Sequence, residues 1–311
     1  MKALVTGGAG FIGSNLADAL LARGDEVRVL DDISTGFRDN VHPDAELVVG
    51  DIRDRDTVAA AVAGCEVVFH EAAHRAVLKS VDQPLATDEA NTRGTLHVLD
   101  AARDAGVRRV VIASSSSVYG GAEVLPTPES APLRPRSPYA VSKLAAEQYT
   151  RVFAELYGIE TVALRYFNVF GPRQRPDSQY AAVIPLFIDA LRAGRAPVVH
   201  GDGEQSRDFT FIDDTVAANL AAATAPADVA SGGIYNIACG DRHSLLELLA
   251  VLGRILDVDI APSFGASRPG DVRNSCADIS AARRDLAYEP RVSFEDGLER
   301  TVAWFTRSSV G

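Results

Sequence analysis

The sequence predicts an α/β protein built on a doubly wound parallel sheet. Three observations carry that expectation. A glycine-rich loop, Gly7-Gly8-Ala9-Gly10-Phe11-Ile12-Gly13, directly follows the short strand-like run Ala3-Leu4-Val5-Thr6. Apolar strand-like runs then alternate with stretches of helical period through the first half of the chain. Finally, Val67-Val68-Phe69 and Val110-Val111-Ile112 are continuously apolar, as strands covered on both faces by helices must be.

Taken in order, a strand over Lys2–Thr6 feeds the glycine loop and a helix near 12–23. Strands over 26–30, 45–49, Val67–His70, 109–113 and 161–167 follow, separated by helices near 56–63, 86–105 and 137–157. Within 137–157, Val141, Ala145, Tyr149, Val152 and Leu156 recur at helical spacing. The second half mixes Pro- and Gly-rich loops (171–178, 262–272) with helices near 181–193, 213–225, 243–256 and 295–306. No linker or internal repeat interrupts the pattern. A smaller C-terminal lobe wound into the first domain is therefore expected, with residues 1–169 and 210–237 in the nucleotide-binding domain and 170–209 and 238–311 in the substrate lobe.

A strand that ends in a glycine turn and continues into a helix aims backbone N–H groups at one spot, which suits a pyrophosphate. Gly7 permits the tight turn, Gly10 lets backbone approach the phosphate, and Gly13 lets helix pack on strand. Phe11 and Ile12 open the helix. The second strand ends at Asp31, where an acid hydrogen-bonds adenosine ribose hydroxyls and repels a 2′-phosphate. The expected cofactor is NAD rather than NADP.

The net charge is −11, with no basic cluster, which argues against nucleic acid or anionic membrane as a partner. It leaves an anionic small molecule open, since a few local arginines hold a phosphate. No apolar run is long enough to span a bilayer, and no signal-peptide pattern is seen. Cys65, Cys239 and Cys276 are scattered outside any metal-ligand spacing and read as free thiols of a reducing cytoplasm. His70-Glu71-Ala72-Ala73-His74 matches HExxH, which binds zinc only from a helix. Here Val67-Val68-Phe69 leads into it as a strand. Extended chain at about 3.3 Å per residue would part the histidines by roughly 13 Å, so no metal is expected.

Ser137-Pro138-Tyr139-Ala140-Val141-Ser142-Lys143 places Tyr139 and Lys143 four apart, on one face of a helix beginning near Tyr139. An ammonium nearby favours phenolate, so Lys143 is expected to lower the Tyr139 pKa and make the pair a general acid/base. Ser114-Ser115-Ser116-Ser117-Val118-Tyr119-Gly120 follows the strand over 109–113, placing hydroxyls at the strand's carboxyl end, where such sheets bind ligands. A serine there can hydrogen-bond a substrate hydroxyl and pass its proton to Tyr139.

Together these segments closely resemble the extended short-chain dehydrogenase/reductases, the NAD-dependent nucleotide-sugar epimerases and dehydratases, over essentially the whole chain. The resemblance implies a Rossmann-type domain with bound NAD and a smaller nucleotide-sugar lobe. It implies Ser115, Tyr139 and Lys143 as catalytic residues, Asp51 and Ile52 at the adenine, and Asn91 near the cofactor. Arg165-Tyr166-Phe167-Asn168-Val169-Phe170-Gly171 is similar to the family segment whose asparagine contacts the diphosphate, which implies Asn168. Ser206-Arg207-Asp208-Phe209 and Arg268-Pro269-Gly270-Asp271 are similar to segments whose arginines hold phosphate and whose aspartate binds uridine ribose, which implies Arg207, Arg268 and Asp271. Ser115, Ser116 and Tyr139 are expected to touch the sugar. The helices near 86–105 and 137–157 resemble those that pair across a two-fold axis, which implies a homodimer.

The family oxidises sugar C4 with hydride transfer to NAD, and the 4-keto sugar is then epimerised, dehydrated or decarboxylated. Similar 4,6-dehydratases carry Asp-Glu where this chain has Ser116-Ser117, and similar decarboxylases carry Glu where it has Ser117. The resemblance therefore implies a UDP-hexose 4-epimerase, with the two other fates as alternatives. An NAD-sensing binding protein would be expected to lose Tyr139 or Lys143, and both are present. Ser275 matches a position beside the sugar's C2 substituent. Its small size implies room for an N-acetyl group, so UDP-glucose and UDP-N-acetylglucosamine with their 4-epimers are the expected substrates. Glu71 departs from the family, which more often has an apolar residue there.

Overall fold

Seven parallel strands form one sheet, and the order in which they lie creates the crevice that the rest of the molecule surrounds. The computed structural model describes residues 1–75, 77–174, 182–267 and 272–308. The first part runs β1 (Lys2–Thr6), α1 (Phe11–Ala22), β2 (Glu26–Asp31), β3 (Glu46–Val49), α2 (Arg55–Val62), β4 (Val67–His70), α3 (Val77–Asp82), α4 (Pro84–Asp88), α5 (Gly94–Asp104), β5 (Arg109–Ser115), α6 (Pro138–Tyr157) and β6 (Glu160–Tyr166). The second part runs β7 (Val169–Phe170), α7 (Val183–Arg192), β8 (Val198–His200), β9 (Ser206–Arg207), β10 (Thr210–Phe211), α8 (Ile212–Thr224), α9 (Ala227–Ala230), β11 (Gly233–Ile237), β12 (His243–Ser244), α10 (Leu245–Leu256), β13 (Ser263–Gly265), α11 (Ser280–Leu286) and α12 (Phe294–Ser308).

The sheet order is β3-β2-β1-β4-β5-β6-β11. Direction along the sheet reverses between β1 and β4, which leaves an open crevice above their carboxyl ends. Side chains alternate across each strand. Val5, Val29, Phe69 and Val111 therefore face one core layer with Leu16 and Leu20 of α1. Leu4, Leu30, Val68 and Ile112 face the other, with Val58 and Val62 of α2 and Val98 and Leu99 of α5.

The structure departs from the sequence expectation in short elements. The single helix expected over 86–105 is α4, a π-helical turn over Glu89–Arg93, and α5. Helix α3 was not anticipated. The strand pairs β7–β10, β9–β12 and β8–β13 are two or three residues long, too short to carry a periodicity. His243 and Ser244, expected in a helix, pair with β9 instead. Ser244 then caps α10 by a reciprocal capping box with Glu247. The expected loop over 171–178 and the start of the 181–193 helix lie partly outside the described residues. Among the described residues no helix is long and apolar enough to cross a membrane.

Candidate active site

One cavity runs along the crevice from the glycine loop to α6. Its lining includes Gly7, Asp31, Asp51, Glu71, Tyr139 and Lys143. Gly7 has φ +71°, and a Cβ there would lie 2.7 Å from the Ala72 nitrogen. A Cβ on Gly13 would lie 2.3 Å from the Gly7 carbonyl oxygen. Only glycine permits this turn and this contact. Gly10 N-caps α1, so the helix N-terminus, with Phe11 and Ile12, opens onto the cavity. The cradle assigned to a pyrophosphate is therefore formed by bare backbone at the end of a twelve-residue helix.

Asp31 is buried and works locally as well as facing the cavity. Its Oδ2 accepts from the Ala9 N–H at 2.9 Å and its Oδ1 from the Ile33 N–H at 2.8 Å. Burial pushes its pKa up, against those two hydrogen bonds. Asp51 takes a forked hydrogen bond from Arg53, which holds its carboxyl below the usual range. Ile52 beside it is buried, and its carbonyl accepts from His97 Nδ1 at 3.1 Å. Asn91 does not line the cavity. It sits in the π-helical turn, where its side chain clamps both backbone groups of His74 (2.7 and 3.0 Å) and donates to Ser142 Oγ at 3.0 Å. Asp32, His74 and Arg173 also line the cavity without having been anticipated. Short surface-like stretches gave no signal for them.

The segment of HExxH is extended rather than helical. His70 ends β4, enclosed by Thr6 Oγ1 at 2.8 Å and Thr95 Oγ1 at 2.9 Å. Burial, and secondarily the Lys143 charge, lowers its pKa to about 3.

Helix α6 begins as the sequence requires. Ser137 accepts from the Ala140 N–H at 3.1 Å, and Pro138 occupies the first turn. Tyr139 and Lys143 are both buried and both face the cavity. Ser115, the last residue of β5, accepts from the Ser117 N–H at 3.2 Å and opposes the rise of the Tyr139 pKa. Ser116 opens the following 3₁₀ turn, and Ser117 Oγ is buried with no partner among the described residues. Lys143 Nζ donates to the Ala113 carbonyl at 2.9 Å.

The electrostatics correct one expectation. The Tyr139 pKa is raised rather than lowered. Burial pushes the phenol up, Ser115 and then the Arg75 charge oppose this, and Glu71 adds to the rise. Burial lowers Lys143 to about 8, with Glu71 and Glu147 acting against the fall. Glu147 is itself engaged in a buried ion pair with Arg165 at 2.7 Å and accepts from Ser114 Oγ. Glu71 stands beside the pair. Its Oε1 accepts from the Tyr166 hydroxyl at 2.8 Å, and burial pushes its pKa up to about 7. A lone charged residue at a strand's carboxyl end was the signal for it.

Outside the lining of that cavity, Asn168 and Ser275, 107 residues apart, meet through a 3.2 Å hydrogen bond from Asn168 Nδ2 to Ser275 Oγ. Asn168 has φ +32° and also donates to the Asp208 carbonyl at 3.2 Å. Arg207 lies in β9, its guanidinium donating to the carbonyls of Ser206 (2.9 Å) and Arg273 (3.2 Å). The Ser275 N–H donates to the Ser206 carbonyl at 3.1 Å, which joins the two segments. Arg268 and Asp271 lie outside the described residues.

Comparisons with known proteins agree with this architecture. The NAD dependent epimerase/dehydratase family matches residues 3–238. The chain is 41% identical over 316 residues to a UDP-glucose 4-epimerase of Mycolicibacterium smegmatis, covering 99% of this chain and 100% of that one. It superposes with TM-score 0.95 on a UDP-glucose 4-epimerase of Thermotoga maritima crystallised with UDP-glucose, at 36% identity, covering 99% and 100% of the two chains. It superposes with TM-score 0.93 on a UDP-N-acetylglucosamine 4-epimerase of Methanobrevibacter ruminantium in complex with UDP-N-acetylmuramic acid, at 38% identity, covering 99% and 98%. Glycine cradle, reversed strand order and Tyr139–Lys143 helix are thus found in a chain that belongs to the NAD-dependent epimerase/dehydratase family.

Proposed function

We propose that the protein is a 4-epimerase of UDP-hexoses with bound NAD. The observation that carries this reading is that Tyr139 and Lys143, both buried on α6, line the same cavity onto which the glycine cradle opens. The cradle of Gly7, Gly10, Phe11, Ile12 and Gly13 would hold the pyrophosphate of NAD, Asp31 the adenosine ribose, and Asp51 with Ile52 the adenine. Asn91 contributes by fixing the His74 backbone. Tyr139 and Lys143 would face the nicotinamide end. NAD, when bound, supplies the hydride acceptor and then the donor at sugar C4.

The chain's own residues handle the proton. Tyr139 takes it from the C4 hydroxyl and returns it after the sugar presents its other face. Ser115 and the Arg75 charge favour phenolate. Ser116 borders the sugar. Arg207, Arg268 and Asn168 would take the diphosphate, and Asp271 the uridine ribose. Ser275 limits the space at sugar C2. Residues 1–169 and 210–237 would act as the nucleotide domain, and 170–209 and 238–311 as the sugar lobe.

Two copies would pair through α6. Val141, Val152 and Leu156 of that helix are exposed, as are Val77, Leu78 and Val81 of α3 and Leu85 of α4. Helix α5 exposes no such residue. The apolar face therefore combines α6 with α3 and α4.

Dehydration or decarboxylation would need a carboxyl where Ser116 and Ser117 stand. Incubation with UDP-glucose, UDP-N-acetylglucosamine and their 4-epimers, with products read by NMR, tests the proposal. Interconversion within each pair is expected. A 4-keto-6-deoxy product, release of CO₂ from a UDP-uronic acid, or no reaction would count against it.

A further inference from the structure

Glu71 follows β4 where the sheet order reverses, in the cavity shared by Tyr139 and Lys143. A relay of side chains holds it there. Asn219 on α8 donates through Nδ2 to the Tyr166 oxygen at 2.8 Å and to the Thr215 carbonyl at 3.0 Å. The Tyr166 hydroxyl has Glu71 Oε1 as its nearer acceptor, at 2.8 Å, and Asn219 Oδ1 as the other, at 3.1 Å. A hydroxyl that accepts from an amide and donates to a carboxyl supports the ionised form of that carboxyl.

A half-buried carboxylate in a cavity wall is stabilised by a positive partner. The charged and titratable groups around it are Lys143, Tyr139 and Glu147 from α6, Tyr166 from β6, and His70 and Arg75 from its own segment. His70 is neutral in the folded chain near physiological pH. Glu147 is forked onto Arg165, with bonds of 2.8 and 2.7 Å, so its charge is already balanced. Glu71 is left facing Lys143, whose ammonium is buried with a neutral carbonyl as its hydrogen-bond partner.

From this geometry we infer that Glu71 is a positioning residue of the acid/base pair, the counter-charge that keeps Lys143 protonated while the Tyr139 proton moves. The inference rests on the reading of Tyr139 and Lys143 as that pair, and not on which UDP-sugar is bound. The two charges are coupled across a narrow range, Glu71 near about 7 and Lys143 near about 8. Removing the carboxylate therefore lets Lys143 lose its proton at lower pH.

The chain has three lysines, Lys2, Lys79 and Lys143. Protein carrying ¹³C at lysine Cε then gives three titrating signals, and Lys143→Met assigns one of them. In Glu71→Gln the Lys143 midpoint should fall by about one pH unit, and Glu71→Asp should restore most of it. Tyr166→Phe keeps the carboxyl but removes the bond that favours its ionised form, and should lower the midpoint part of the way. The alkaline limb of the turnover profile should move down with the midpoint. A Lys143 midpoint that is the same in the wild type, Glu71→Gln and Tyr166→Phe would overturn the inference. If Glu71→Gln failed to fold, Tyr166→Phe would decide it alone. Absence of epimerisation in the wild type would instead remove the proposed function, and the lysine titration would still decide this inference.

Discussion

The crevice above β1, β4 and β5 and the lobe-like region around Asn168, Arg207 and Ser275 are built on different principles. In the crevice, side chains hang from the ends of parallel strands whose register is fixed by neighbours on both sides. In the second region, two-residue strand pairs do the work, and one buried carboxylate ties them together. Asp208 accepts from the N–H groups of Cys239 (2.9 Å), Gly240 (3.1 Å) and Ala277 (3.0 Å). It joins the segment after Arg207 to the ends of two other segments, one of them next to Ser275. The first region is held at a fixed geometry by its sheet, while the second can vary loop by loop.

Replacing Tyr139 by Phe should cost the largest effect in the crevice, a loss of ~10²–10⁴-fold in turnover with little change in melting temperature. Near-wild-type turnover would remove Tyr139 from the chemistry. Breaking the frame behind it should be felt as stability instead. Arg165→Met leaves Glu147, which is 0% exposed, without its partner. Denaturant unfolding should show a loss of about 3–5 kcal/mol.

In the lobe, Asp208→Asn turns an amide NH₂ toward N–H donors. A loss of about 1–3 kcal/mol is expected, together with a raised KM for the UDP-sugar. An unchanged KM would mean that Asp208 does not hold the sugar side in place. Ser275→Tyr should depress the N-acetylated reaction by about 10-fold more than the UDP-glucose one. It also breaks the bond from Asn168, so Ser275→Ala serves as the control that loses the bond without adding bulk. Equal losses on both substrates would show that Ser275 does not gate C2.

The smallest effect is a pH dependence of stability. The folded pKa of His70, about 3, lies below its ordinary 6.5, so below pH 6.5 the unfolded chain binds a proton that the folded chain refuses. Stability present above 6.5 is lost as pH falls toward about 3. Glu71 has the opposite sign, since its folded value of about 7 exceeds 4.5 and stability is lost as pH rises between them. Between pH 6 and 5 the wild type should lose about 1 kcal/mol more than His70→Gln. Parallel curves would place the proton elsewhere.

The crevice was legible in the sequence because each part is local. A strand, a glycine turn and a helix are contiguous, as are Tyr139 and Lys143. Gly7 and Gly13 stand where a Cβ would strike backbone, a constraint that leaves a pattern. The lobe was less legible because its contacts join distant residues through elements too short to show a period. Asn168 and Ser275 meet across 107 residues, and only the family resemblance pointed to either. The Tyr139 pKa is raised where a lowering was expected, for a related reason. Spacing places two residues on one helix face but says nothing of burial, and burial is the largest influence on both. Likewise nothing in the sequence signalled that Asn91, expected near the cofactor, clamps the backbone of the cavity-lining His74 from the π-helical turn.

On the proposed function, C4 of a UDP-hexose is oxidised and reduced again within the one crevice. The most direct test supplies UDP-glucose deuterated at C4 to the purified holoprotein in ordinary water, without added nucleotide. The account predicts UDP-galactose that keeps the deuterium at C4, since the hydride leaves and returns without meeting solvent. UDP-galactose carrying solvent hydrogen at C4, or epimerisation that proceeds only with stoichiometric consumption of added nucleotide, would contradict it.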